Sequence, residues 1–220
     1  MTRVAVLIPS CGQRALANLA RDAIARFTTD VAHDVFLLDH GPWRELGGTA
    51  NLRALCLLRE AVTQDYSHVF VMHDDALPIL AGWLSTLLKQ NLQAGAIVSR
   101  RGWRGHSAGT LYARTTFARM DLSPRLPDYD VAESVPLRWG APLIQWRGKG
   151  STAGWEPPDW MRPHDCDIAL ADGSPPFYAG VPFYVHLGGG TIGATGTRPT
   201  SVAHRERIAS WIRAARGALG

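Results

Sequence analysis

The residues that could do chemistry cluster after three apolar runs in the first part of the chain. The runs are Val4–Pro9, Val35–Asp39 and Val69–Met72. Continuous apolar runs of this length are typical of strands buried on both faces. In open α/β sheets, ligands bind beyond the carboxyl ends of the strands, so polar residues at these ends predict one shared site. They are Ser10, Cys11, Gly12 and Gln13 after the first run, Asp39, His40 and Gly41 after the second, and His73, Asp74 and Asp75 after the third.

The third group contains two adjacent carboxylates, Asp74 and Asp75. Hard oxygen ligands at a strand end suit Mg²⁺ or Mn²⁺ bound together with phosphates. A cation there would neutralise a diphosphate leaving group in a displacement reaction. A turn or capping role is an equally common use for any one of these polar residues. Their presence at all three strand ends favours a binding site.

Segments with helical apolar spacing alternate with the strands. We predict helices from Gln13 to about Phe27, from a cap at Asn51 to about Thr63, and from Pro78 to Gln90, with a fourth strand at Ala96–Ser99. This alternation predicts an α/β fold with a mostly parallel central sheet and helices on both faces.

The character of the sequence changes near Arg100. From there to Thr200 the chain is rich in Gly, Pro, Trp and Arg and contains only short apolar runs, so we expect an irregular layer on the same core. Within it, Asp128–Trp139 could hold a short helix, and strands are predicted at Leu143–Trp146 and Phe183–Leu187. Residues 201–220 predict an amphipathic helix. We expect one domain over residues 1–220.

Composition excludes several classes of protein. The 220 residues are 46% hydrophobic and 19% charged, which is typical of a globular chain and excludes disorder, collagen and coiled coil. The net charge is +4, and the arginines of residues 191–220 account for all of it. A nucleic-acid-binding body is therefore not expected, although the basic last helix could contact a membrane surface.

Cysteine usage and hydropathy predict the compartment. The three cysteines, Cys11, Cys56 and Cys166, are far apart and odd in number, which indicates free thiols in a reducing compartment. No run approaches 18 apolar residues, so no transmembrane segment is expected. The apolar run Val4–Ile8 is too short for a signal peptide. We therefore expect a cytoplasmic protein.

The order of these motifs resembles the family-2-type glycosyltransferases with the GT-A fold. Val4–Pro9 resembles the opening strand of that family, and Val35–Gly41 resembles a second strand that ends in a nucleotide-contacting Asp. Val69–Asp75 resembles the strand that leads to the acidic metal motif, and Gly109–Arg114 resembles the acceptor-side strand. The resemblance covers roughly residues 3–190.

The resemblance implies transfer of a sugar from a nucleotide diphosphate sugar to an acceptor hydroxyl or other nucleophile, with Mn²⁺ or Mg²⁺ as cofactor. Residues 1–105 would then bind the nucleotide sugar and residues 106–200 the acceptor. Asp75 and His186 are the expected metal ligands, and an inverting reaction would use Asp130, Glu133 or Asp128 as the base. The expected nucleotide-sugar contacts are Pro9, Ser10, Cys11, Gly12, Asp39, Asn51, Asp74, Arg100 and Gly109.

The sequence departs from the family pattern at His73, which stands where an Asp-x-Asp motif has its first Asp. This leaves strict metal dependence open, together with the nucleobase, the sugar, the acceptor, the stereochemical outcome and the oligomeric state. Two alternatives stay open: a non-catalytic relative that binds a nucleotide or glycan, and a sugar nucleotidyltransferase. A third is a plain α/β protein in which the aspartates are caps.

Overall fold

A computed structural model describes residues 2–10, 12–39, 47–90, 93–97, 105–123, 160–161, 166–170, 182–187 and 202–220. The strands in these ranges are β1 (Arg3–Ser10), β2 (Ala32–Asp39), β3 (His68–Met72), β4 (Ala76–Pro78), β5 (Gln93–Gly95), β6 (Gly109–Ala113), β7 (Asp167–Leu170) and β8 (Pro182–His186). The helices are α1 (Arg14–Phe27), α2 (Gly47–Glu60), α3 (Trp83–Gln90), α4 (Arg114–Ala118) and α5 (Val202–Leu219).

The central sheet has five strands in the order β2-β1-β3-β6-β5. β1 is parallel to β2 and to β3, so the carboxyl ends of these three strands share one edge. β6 and β5 extend the sheet with antiparallel pairings. The α/β prediction is confirmed, and the three strands predicted first form its parallel part.

Helices cover both faces of this sheet, and the side chains of β1 point alternately into the two cores that lie between the sheet and these helices. Val4, Val6 and Ile8 face a core that includes buried residues of α1, α3 and α5. Ala5 and Leu7 face a core that includes buried residues of α2 and α4. A strand covered on both sides has no polar face, which explains the continuous apolar run.

A second sheet has three antiparallel strands in the order β4-β8-β7. It packs on the central sheet through an aromatic cluster of Phe70, Trp83 and Tyr184, whose ring centroids lie 4.9–5.9 Å apart. β4 begins directly after Asp75, so the small sheet starts at the carboxyl edge of the central one.

The predicted starts of two helices were wrong. Asn51 is not a cap, because α2 begins at Gly47 and places Asn51 one turn inside the helix. The capping preference of Asn51 yields to the burial of Leu52 and Leu55 against the sheet. The predicted helix from Pro78 begins only at Trp83, because Ala76–Pro78 pairs with β8 as a strand.

The strand predicted at Ala96–Ser99 lies earlier, as β5 at Gln93–Gly95, and Ala96 and Ile97 follow its end. The amides of Ala96 and Ile97 both donate to the carbonyl of Gly109, so the regular ladder with β6 stops there. The predicted elements at Asp128–Trp139 and Leu143–Trp146 lie outside the described residues.

The C-terminal helix is present as α5, which contacts α1 and buries Ile208, Trp211 and Ala215. None of the helices in the described ranges is both long and apolar enough to cross a membrane. Cys56 and Cys166 are free thiols, as expected, and Cys11 lies outside the described residues.

An ion pair joins the beginnings of the three parallel strands. The Nε of Arg3 on β1 lies 2.8 Å from the Oδ2 of Asp34 on β2, and the hydroxyl of Tyr66 donates to the same oxygen at 2.8 Å. The hydrogen bond from Arg3 holds the pKa of Asp34 below its ordinary value of 3.8. Because Asp34 and Arg3 are 36% and 47% exposed, solvent screens much of this interaction.

We expect Asp34→Asn to lower the Tm by less than about 3 °C at pH 7. The folded pKa lies below the unfolded one, so the contact stabilises the fold above pH 3.8 and is lost as the pH falls through the folded value. Thermal unfolding of both proteins between pH 7 and pH 3 should therefore show the Tm difference shrinking at the acid end. A difference that stays constant over this range would contradict the assignment.

Candidate functional site

The carboxyl ends of β1 and β3 meet at a buried hydrogen bond. The hydroxyl of Ser10, the last residue of β1, donates to Oδ2 of Asp74 at 2.8 Å. Both side chains are almost fully buried, because the parallel pairing of β1 and β3 brings the two ends together inside the fold. A carboxylate in such a place is stabilised by hydrogen bonds and by nearby positive charge.

The end of β2 is tied to the turn that follows β1. Gly12 has a φ of 88°, a backbone conformation that favours glycine, and its amide donates to Oδ1 of Asp39 at 2.8 Å. The exposed guanidinium of Arg14 lies 3.6 Å from Oδ2 of the same carboxylate. Polar groups that follow two parallel strands are thus held side by side at the sheet edge.

Asp75 lies between two histidines. Its Oδ1 is 3.2 Å from Nε2 of His186 and 3.9 Å from Nδ1 of His73. One ligand atom from each of these three residues falls within 4.8 Å of the others. Asp75 and His186 are buried, whereas the His73 side chain is 16% exposed, so the cluster opens to solvent through His73.

Strand pairing in the small sheet positions this cluster. β4 follows Asp75 directly, and the register of β4 with β8 sets Ala76 opposite His186. The amide of Leu187 donates to the carbonyl of Asp75 at 2.9 Å. The backbone therefore holds Asp75 and His186 together from both sides, although they are distant in the sequence.

The turn before β6 adds two residues that the sequence reasoning missed, His106 and Ser107. Oγ of Ser107 lies 2.6 Å from Nε2 of His73. The His106 ring lies 5.8 Å from the ring of His73 and 5.6 Å from the ring of His186, and its Nδ1 accepts the amide of Ala108 at 3.1 Å. The sequence did not reveal these two residues because the antiparallel pairing of β6 with β3 could not be predicted from it. That pairing sets the start of β6 beside the end of β3.

Tyr184 supports the cluster of His73, Asp75 and His186 through a hydrogen bond between two neighbouring segments. Its hydroxyl donates to the carbonyl of Ala108 at 2.6 Å, which links β8 to the turn before β6. Burial, followed by the negative charge of Asp75, holds the pKa of Tyr184 well above its ordinary value of 10.0. The phenol is therefore protonated at neutral pH, where it can donate this hydrogen bond.

The donor set fits a divalent cation. Two imidazole nitrogens and a carboxylate oxygen are common protein ligands of transition metals, and three protein ligands leave positions for other groups. The buried carboxylates of Asp74 and Asp75 gather negative charge at this edge, which a cation would offset. The residues present thus fit a metal site that could also meet a phosphate group.

The structure brings together six of the predicted site residues at one edge of the sheet. They are Ser10, Gly12, Asp39, Asp74, Asp75 and His186. Pro9 lies in β1, and Asn51 is buried within α2. Gly109 begins β6 opposite Met72. A Cβ added at this position would lie 2.9 Å from Cε1 of Tyr184, so close packing by itself accounts for a glycine here.

The other predicted site residues lie outside the described residues. These are Cys11, Arg100, Asp128, Asp130 and Glu133.

No protein-family model matches the chain, and no curated protein matches it. Among solved structures, the catalytic domain of Drosophila beta1,4-galactosyltransferase 7 in complex with xylobiose aligns at 18% identity and a TM-score of 0.37, covering 55% of this chain and 52% of that one. A mutant of that enzyme in complex with manganese, UDP-Gal and xylobiose gives the same values.

Galactosyltransferase LgtC, in complex with donor and acceptor sugar analogues, aligns at 15% identity and a TM-score of 0.36. The alignment covers 54% of this chain and 60% of that one. The chain thus spans between half and two thirds of the length of these solved structures. A likeness at this identity and TM-score carries no argument about activity.

Proposed function

We propose that the chain is a glycosyltransferase that transfers a sugar from a nucleotide diphosphate sugar to an acceptor hydroxyl. One observation carries the proposal: the metal-type cluster of His73, Asp75 and His186 lies at the same sheet edge as the polar ends of β1 and β2. A nucleoside diphosphate and its cation require this combination at one place. The GT-A fold and the family-2 resemblance are part of the proposal.

The nucleoside would bind at the ends of β1 and β2. Asp39 is held by the Gly12 amide, and the family resemblance gives this Asp the role of contacting the nucleotide. Arg14 beside it would supply positive charge near the phosphates. Ser10 keeps Asp74 in place, from where Asp74 would accept a hydrogen bond from the ribose.

Asp75 and His186 would hold Mn²⁺ or Mg²⁺ against the diphosphate. When bound, the cation would neutralise the charge that develops on the leaving diphosphate. Arg100 would add positive charge to the same group. A carboxylate among Asp128, Asp130 and Glu133 would take the proton of the acceptor hydroxyl in an inverting displacement. These last assignments, the single-domain organisation and the cytoplasmic location stay predictions from the sequence.

Thermal unfolding with UDP, GDP and dTDP, each with Mn²⁺, with Mg²⁺ and with EDTA, tests the proposal. A diphosphate at about 100 times its Kd adds roughly 2.7 kcal/mol, which is a Tm increase of about 5–10 °C for a chain of this size. We expect one nucleotide to give this shift in a metal-dependent way, and the matching monophosphate to give a smaller one.

Turnover separates a transferase from a binding relative. With the nucleotide sugar that matches the stabilising diphosphate, release of that diphosphate should depend on the metal and increase with acceptor sugars. A chain that shifts its Tm but never consumes the nucleotide sugar is a binding protein. The absence of a shift with all three diphosphates at saturating concentration would overturn the proposal.

A further inference from the structure

We propose that His73 is a direct metal ligand through Nδ1, that Ser107 is the positioning residue for it, and that the resulting site prefers imidazole-binding divalent ions such as Co²⁺ and Zn²⁺ to Mg²⁺. This inference deepens the proposed function and rests on its metal site. It assigns a role to His73, which stands where an Asp-x-Asp motif has its first Asp, and to Ser107, whose hydroxyl contacts its ring.

The two ring nitrogens of His73 have different surroundings. Nε2 lies 2.6 Å from Oγ of Ser107, and Nδ1 faces Oδ1 of Asp75 at 3.9 Å. A neutral imidazole carries one N–H and one lone pair, and only the lone pair binds a metal. When Nε2–H donates to Ser107, the lone pair of Nδ1 is directed toward Asp75.

The hydroxyl of Ser107 both donates and accepts, so it also tolerates the other tautomer of His73 before a metal arrives. A cation beside Asp75 selects the tautomer with the lone pair on Nδ1, because an N–H there would point at the positive charge. The hydroxyl oxygen of Ser107 then accepts a hydrogen bond from the Nε2–H of His73. A hydrogen bond of this kind to the outer nitrogen of a ligating histidine fixes the ring and raises its basicity.

The spacing of the ligand atoms suits a shared ion. Atoms that bind one metal at about 2.0–2.2 Å lie roughly 3–3.5 Å apart in a compact site. The distance of 3.2 Å between Asp75 and His186 already meets this, and the distance of 3.9 Å between Asp75 and His73 is longer. The three ligand atoms lie within 4.8 Å of one another, so a shared ion would draw the partly exposed ring of His73 inward.

His106 is assigned to packing and not to ligation. Its Nδ1 accepts the amide of Ala108, so the neutral ring carries its proton on Nε2. The ligand set therefore consists of two imidazoles and one carboxylate. Imidazole suits Zn²⁺, Co²⁺ and Fe²⁺, whereas Mg²⁺ prefers oxygen ligands in a strict octahedron and gives up water reluctantly.

Titration of the purified chain with Co²⁺ tests the proposal without any nucleotide. The visible absorption of Co²⁺ reports its ligands, and calorimetry gives its affinity and that of Mg²⁺. We expect Co²⁺ to bind more tightly than Mg²⁺ by about tenfold or more. His73→Ala should change the Co²⁺ spectrum and lower the affinity. His68→Ala should do neither, because His68 begins the strand whose other end precedes His73.

Ser107→Ala should weaken Co²⁺ binding by about 10–100-fold. Ser107→Thr keeps the hydroxyl and should restore binding, and Ser85→Ala, which removes a hydroxyl from α3, should have no effect. The Tm of each variant in EDTA shows whether it is folded. An unchanged Co²⁺ spectrum and affinity in folded His73→Ala or Ser107→Ala, or Mg²⁺ binding as tight as Co²⁺ binding, would overturn the inference.

The two proposals fail in different ways. Tight Co²⁺ binding that depends on His73, combined with no Tm shift from any nucleoside diphosphate, would leave this inference standing and reject the proposed function. Metal-dependent nucleotide binding that survives His73→Ala would reject this inference and leave the proposed function standing.

Discussion

Asp75→Asn is expected to lower metal-dependent sugar transfer by about 10²–10³-fold, because it removes the only negative ligand from the His–Asp–His cluster. The carboxylate Oδ1 of Asp75 lies 3.2 Å from His186 and faces His73 across the cluster. An amide oxygen in its place carries no charge and binds a divalent ion weakly. A bound metal supplies several kcal/mol of charge stabilisation in the transition state, and losing most of it gives a rate effect of this size.

The same substitution should leave the fold intact. Asn has nearly the shape of Asp, and Asp75 is one of two adjacent buried carboxylates, so neutralising it removes a buried charge. The Tm of Asp75→Asn in EDTA should therefore equal or exceed that of the parent, while the increase produced by Mn²⁺ with nucleotide disappears. Steady-state diphosphate release measures the rate. Asp65→Asn is the matched control, because Asp65 is an exposed carboxylate that precedes β3, whereas Asp75 follows the other end of that strand. Parental turnover in Asp75→Asn would remove this residue from the mechanism.

Trp83→Ala is expected to lower the free energy of unfolding by about 3–5 kcal/mol, the usual cost of deleting a buried Trp side chain. Trp83 is fully buried, and its ring lies 4.9 Å from Phe70 of the central sheet and 5.6 Å from Tyr184 of the small sheet. Its Nε1 also donates to Oγ1 of the buried Thr28 at 2.8 Å, and Thr28 loses this donor in the variant. Urea unfolding monitored by circular dichroism measures the effect.

Trp83 should also matter for the metal site. Tyr184, which packs on it, lies two residues before His186 on β8, and its hydroxyl holds the turn that carries Ser107. We expect Trp83→Ala to weaken metal binding as well as stability, although Trp83 is not itself one of the ligands. Leu57→Ala, at an exposed position of α2, should change neither. A loss of less than about 1 kcal/mol would mean that the cavity collapses around the alanine and that the two sheets do not depend on this ring.

The sequence by itself determined the layout of the parallel sheet and its polar edge. β1, β2 and β3 appear as continuous apolar runs because they are covered on both faces, and this is a local signal. Ser10, Asp39, Asp74 and Asp75 could be placed together because parallel strands end on the same side of a sheet.

The family resemblance had already paired Asp75 with His186, but only the tertiary structure decided how the two are held together and what else surrounds them. His186 reaches Asp75 because β8 pairs with β4 in a register that sets His186 opposite Ala76, and Ser107 reaches His73 because β6 runs antiparallel to β3. These pairings join segments far apart in the sequence. Their register depends on which faces are buried and on the packing of Trp83 and Tyr184, and no local preference of the residues involved specifies it. A histidine in place of an expected Asp was visible from the start, but its hydrogen-bond partner became known only when the strands were paired.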